Sequence, residues 1–166
     1  MKARGQVFST DFIVGMLVFL FILSLSVIVS RQAFLQADSF EQYSELRDAA
    51  SAAASALVVS SGQPSNWEKL PSINDINSVG LAEERNVLSS EKLQRFSDLN
   101  SSNYSDLKQL LGLGKFDFFF SVELLQSSQQ LYSAGMLPDS NATVVSASRL
   151  ALLGSDEILV KLEVFD

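Results

Sequence analysis

Residues 1–31 read MKARGQVFSTDFIVGMLVFLFILSLSVIVSR, and the reading of this stretch decides the architecture of the whole chain. From Phe12 to Ser30 there is no charged side chain, and Asp11 and Arg31 bracket the run. At about 1.5 Å of rise per residue, a helix of this length crosses the ~30 Å hydrocarbon core of a bilayer. Lys2 and Arg4 precede it, so the positive-inside tendency keeps the N-terminus cytoplasmic and sends the remainder of the chain outside. A cleaved secretory signal has an apolar region of roughly 7–15 residues and a small-x-small exit. This run is longer and leaves through Val29-Ser30-Arg31-Gln32. A buried helix of a soluble protein is seldom apolar on every side. The expectation is a helix that stays in the membrane.

Asp11 admits two readings. With Thr10 it can cap the start of the helix, where a negative charge suits the helix dipole. It can also carry a function, because a carboxylate at an apolar boundary is costly and favours a partner charge.

The helical pattern continues past Arg31. Leu35, Ser39, Tyr43, Leu46, Ala50, Ala53 and Leu57 recur at three- and four-residue steps, which makes one apolar stripe. Asp38, Glu41, Glu45 and Asp48 lie on the other side. Ser60-Ser61-Gly62, followed by Pro64, reads as a glycine-capped helix end. One helix, its first half in the membrane and its second half packed on a head domain, is the economical reading. The expected divisions are a leader at 1–5, a membrane half at 6–30, an outer helical half at 31–61 and a head at 62–166.

The head begins with loop-like composition, in which Trp67 reads as an anchor plugging the domain. Val79-Gly80-Leu81 reads as a short edge strand or a tethered loop. Two short helices come next, SSEKLQRFSDL and NYSDLKQLLG, the second capped by Asn103 with Asp106 three residues on. Phe96, Leu99, Leu107, Leu110 and Leu111 are expected in the core.

The period then changes to two. In KFDFFFSVEL, Phe116, Phe118, Phe120, Val122 and Leu124 alternate with Asp117, Ser121 and Glu123; DEILVKLEVF repeats the pattern. SQQLYSAG and ATVVSASRLALL read as further strands, with Gly154-Ser155 as a hairpin turn. So apolar a segment as FDFFF is an aggregation hazard at an edge, and a central, buried strand is expected. The fold class is therefore α+β: a long N-terminal helix covering a small antiparallel sheet of three or four strands.

Composition narrows the function. The net charge is −7, which offers no basic surface for nucleic acid. There is no cysteine and no histidine, which removes thiol chemistry, disulfides and the commonest general base. No Gly-rich phosphate loop, serine elbow or metal constellation appears. The expectation is a protein without enzymatic activity, cofactor or metal. Three N-x-S/T sequons, at Asn100, Asn103 and Asn141, are candidate glycan sites in loops.

The join at the front of the chain carries a resemblance. Gly5-Gln6, preceded by Lys2 and Arg4 and followed by Ser9, Asp11 and Phe12, resembles the class III signal of archaeal type IV pilin-like proteins. Ser9 and Asp11 lie one residue further from the junction than in the family pattern. The head also resembles small archaeal pilin-like membrane proteins, in its Trp loop, its Lys-Leu-x-x-Phe helix, its Leu-Leu-Gly helix end and its Phe-rich strand. The resemblance implies cleavage between Gly5 and Gln6 by a prepilin peptidase, retention of the helix, and pairing of Asp11 with the freed amino group of a neighbouring subunit. Its implied partners are membrane lipid, the peptidase and like or related pilin subunits, and its implied place is the cell membrane or an extracellular filament. The competing expectation is a monomeric single-pass protein whose outer domain binds or adheres to a surface partner, with Asp11 as a helix cap.

Overall fold

The computed structural model describes residues 4–166, with side chains described for residues 10–31 and 40–166. The chain divides into two compact units, the first ending at Gln42 and the second running Tyr43–Asp166. One helix, α1 (Arg4–Val59), contributes to both. In the second unit its stripe behaves as its period requires from Leu46 onward, where Leu46, Ala50, Ala53 and Leu57 are all buried. Tyr43, expected on the same stripe, is 49% exposed. Leu35 and Ser39 lie outside the described side chains.

The end of α1 is closed by a partner distant in sequence. The last carbonyls of any helix lack intrahelical donors. Here Leu57 O, Val58 O and Ser60 O accept from the backbone N–H groups of Leu81, Asn86 and Ala82, at 2.9, 3.1 and 3.1 Å. Gly62 does take the left-handed conformation expected of it (φ 83°), but the carbonyls are satisfied by the 81–86 segment. That close docking is why residue 80 is glycine: a Cβ there would collide with the Ser60 carbonyl. Trp67 holds the same region from outside the helix. It is fully buried, its Nε1 donates to Gly80 O at 2.8 Å, and its ring lies so close to Gly62 that a Cβ would meet Cδ1 at 2.5 Å.

Two short strands come directly after, β1 (Ala82–Glu84) and β2 (Val87–Leu88). Segment α2 (Ser90–Leu110) departs from helical geometry at Asn103 (φ −139°, ψ 42°), so the two expected short helices are present and adjoin across a kink at that residue. Asn103 does not cap its second arm with a backbone bond; its Oδ1 accepts from the Ser102 hydroxyl. Strands β3 (Asp117–Leu124), β4 (Gln130–Gly135), β5 (Val144–Leu153) and β6 (Asp156–Phe165) complete the head.

The sheet has six strands in the order β1-β2-β5-β6-β3-β4, not three or four. It is mixed, because β2 runs parallel to β5 while the other pairs are antiparallel. The expectation failed at β1 and β2, which are three and two residues long and too short to show a period. The Phe-rich strand β3 lies inside the sheet between β6 and β4, with Phe118 and Phe120 fully buried.

Cross-strand register sets large side chains in the middle of the inner face and small ones on either side. One row reads Ala134, Phe120, Leu162, Ala147 from β4 to β5. Phe120 lies under α2, whose Phe96 ring meets it edge-on with centroids 5.1 Å apart. Strand β5 meets α1. There Arg149 reaches from the inner face to Ser51 and Ser55, with Nη2 3.0 Å from Ser51 Oγ and 2.9 Å from Ser55 Oγ. Cover of the apolar face is thus shared between two helices.

Candidate functional site

Among the described residues of the first unit, one feature has functional content. Thr10–Arg31 forms a helical segment of 22 residues that is long and apolar enough to cross a membrane, and none of its most apolar window is buried within the protein. Phe12 is 71% exposed and Phe21 65%, on a helix whose apolar side chains face all directions. Burying such a surface is worth about 1.5–3 kcal/mol per large side chain, so it calls for an apolar surrounding. The serines within it fit that surrounding: the Ser24 hydroxyl folds back and donates to Leu20 O at 2.8 Å. Asp11 is exposed near the start of the run. Gly5 and Gln6 fall in the first turns of α1 by backbone, and their side chains lie outside the described ones.

No protein-family model matches the chain, and no curated protein or solved structure matches it either.

The sequons fall in two settings. Asn100 lies on α2 and not in a loop, and Asn103 lies at its kink. Asn100 is engaged in packing, its Oδ1 accepting from Gly135 N at 2.9 Å and tying α2 to β4. Asn141 is exposed in the β4–β5 loop, the one setting of the three that matches a loop acceptor.

Three groupings in the head were not anticipated from the sequence. Lys92 is buried at 6% exposure. Its ammonium donates to Ser61 O at 2.7 Å and Ala82 O at 3.1 Å, tying the chain just beyond α1 to β1. Burial pushes its pKa down, while the carboxylates of Glu68 and Glu83 act in the opposite sense. Both hydrogen bonds are donated to backbone carbonyls, which is the geometry of a structural tie. One Glu68 carboxylate oxygen and Arg95 Nε are buried without hydrogen-bond partners. The sequence signal for this tie is a lysine beside Leu93, at the start of the amphipathic helix that buries Phe96 and Leu99.

The second grouping joins α2 to β3. The Tyr104 hydroxyl donates to Asp117 Oδ1 at 2.9 Å and accepts from Phe118 N at 3.1 Å. Lys108 Nζ donates to the same Asp117 oxygen at 2.6 Å. Burial, with Asp117 adding to it and the Phe118 N–H opposing it, pushes the Tyr104 phenol up to about 12. An acid with a raised folded pKa contributes stability that is complete below its unfolded value, about 10. That stability is lost as pH climbs through the folded value. Because Tyr104 is only partly buried, screening reduces the gain to about 1 kcal/mol. The stability difference between the wild type and Tyr104→Phe should therefore shrink by about that amount between pH ~9 and ~12, as read by denaturant melts. A difference independent of pH would show that burial of the phenol has no consequence.

The third is an apolar notch on the outer face of the sheet, lined by Val87, Leu125, Leu150 and Leu152 between Arg85 and Glu157. Among the described residues, no group of three or more acidic or other ligating side chains is placed to hold a metal ion.

Proposed function

We propose that the protein is a pilin-like structural subunit, major or minor, of an archaeal type IV pilus-like surface filament, inserted through its N-terminal helix. The observation that carries this reading is that the uncovered apolar segment and the stripe that builds the head core belong to one helix, α1. A disposable targeting segment has no need of such continuity. A subunit that leaves the bilayer to pack its helix against its neighbours does. Gly5-Gln6 supplies a cut that spares the helix, and Asp11 supplies the charge that meets the new amino terminus of a neighbour.

In this reading the helix spends the time before assembly in lipid and then exchanges lipid for like helices, at little cost in apolar burial. The head stays on the outer side and forms the filament surface, where Asn141 is placed to accept a glycan.

N-terminal sequencing of the natural product tests the proposal. The first residue should be Gln6, and Asp11→Ala should remove the protein from sheared filaments while leaving it in membranes. An intact Met1, or a start beyond Ser30, would rule out this kind of processing. Unchanged behaviour of Asp11→Ala would favour the monomeric membrane-anchored binding protein.

A further inference from the structure

The outer face of the sheet is not uniformly polar. On β5, Leu150 is 63% exposed and Leu152 is exposed as well; with Leu125 and Val87 they line a notch of about 290 Å³. Arg85, in the β1–β2 turn, and Glu157, on β6, flank β5 on its two sides. That volume sits at the lower bound for small-molecule pockets, and apart from Arg85, Asn86 and Glu157 its lining is apolar. It suits one or two apolar side chains better than a metabolite.

The same head presents an apolar knob. In the β4–β5 loop Leu137 is 74% exposed and Met136 is exposed beside it, with Pro138 and then Asp139 next in the chain. Register places knob and notch at opposite ends of the sheet. Gly135 pairs with Phe119, and Met136 N donates to Phe118 O, so the loop leaves at the end where Asp117, Phe165 and Val144 align. The notch lies at the other end, where Leu150 pairs with Leu159 and Leu152 with Glu157. About six residues at ~3.3 Å each separate the two along the strands, roughly 20 Å. A head cannot place its own knob in its own notch.

We propose that the Leu137 loop of one copy seats in the Leu125–Leu150–Leu152 notch of the next, with Asp139 facing Arg85. The charges agree with this occupant: the knob carries an acid two residues from its tip, and the notch carries a cation on one wall. Glu157 on the far wall repels Asp139 and so sets which way round the loop enters. Because the two surfaces differ and lie at opposite ends, the contact is heterologous and propagates head to tail instead of closing into a two-fold dimer. It uses no residue of the N-terminal helix, and so goes beyond the filament reading.

Disulfide trapping in native membranes of the full-length protein tests it, since the chain has no cysteine of its own. The double variant Leu137→Cys with Leu150→Cys should give, on mild oxidation, a ladder of dimers, trimers and higher species. Each single variant should stay monomeric, and the two single variants co-expressed should stop at dimers. Bridging needs Cα atoms within about 7 Å, so the ladder reports seating and not proximity alone. Arg85→Glu in the double-cysteine background should cut the ladder at least tenfold, and adding Asp139→Arg should restore it. Absence of a ladder, dimers from either single variant, or a ladder indifferent to Arg85→Glu would each overturn the contact. A processed Gln6 terminus without a ladder would leave the filament reading standing and remove this one. A ladder from protein with Met1 intact would do the reverse.

Discussion

Deleting residues 1–42 should move the protein completely from the membrane fraction to the soluble fraction and leave a folded head. The first unit ends at Gln42, and the buried part of the α1 stripe begins at Leu46. The deletion therefore removes the exposed apolar surface of Phe12–Val29 and, among the described residues, none of the core. Leu, Ile, Phe and Val each favour the bilayer by about 0.3–0.6 kcal/mol at mid-membrane, so a span rich in them contributes about 5 kcal/mol or more. Its loss shifts partitioning by more than roughly a thousandfold. Fractionation and far-UV circular dichroism of the truncated chain read both halves of the expectation. A truncated head that remained with membranes would mean that the anchor lies elsewhere, and an unfolded one would mean that the first unit is needed for folding.

The largest single-residue loss of stability is expected at Trp67. Its ring is wholly buried between the 62–80 loop and the core, and its indole N–H satisfies Gly80 O. Trp67→Ala should cost about 4 kcal/mol from lost burial and the cavity left behind. A further ~1 kcal/mol comes from the orphaned carbonyl. For a head of this size that lowers the melting temperature by roughly 15–20 °C. Trp67→Phe keeps most of the volume and loses the hydrogen bond, and should cost about 2 kcal/mol. The effect is expected to spread, because Gly80 leads into the 81–86 segment that satisfies the carbonyls at the end of α1. Hydrogen exchange at Leu81, Ala82 and Asn86 should speed up in Trp67→Ala before the strands β3 and β6 are affected. If only the global melt moved, Trp67 would be ordinary core and not the clamp of this junction.

The parts of the fold legible in the sequence share one property: their signal is periodic over many residues. Strand β6 is read to its ends as DEILVKLEVF, because Ile158, Val160, Leu162 and Val164 alternate without a break. The Gly154-Ser155 turn is equally plain, and the structure pairs Leu153 with Asp156 across it. The membrane-length segment is the same kind of signal at greater length. Strands β1 and β2 carry no such signal, since AEE and VL contain too few residues to alternate. They exist because β1 continues the segment that docks on the end of α1 and because β2 finds a parallel partner in β5. Arg149 stands where alternation wants an apolar residue, and the hydroxyls of Ser51 and Ser55 on α1 make that position tenable. The proposed site divides in the same way. Gly5, Gln6 and Asp11 are visible as a local motif, whereas the notch between Arg85 and Glu157 is assembled from separate stretches of chain.

By itself the sequence determined the membrane-length helix, its continuation as a core stripe, the α+β class and the central placing of the Phe-rich strand. Each of these rests on hydrophobic period, which acts between near neighbours along the chain. Tertiary structure alone decided the six-stranded mixed sheet, the closing of α1 by residues 81–86, the burial of Lys92 and the outer-face notch. Those depend on which unsatisfied backbone groups and side chains meet across long loops, and no local pattern encodes such a meeting.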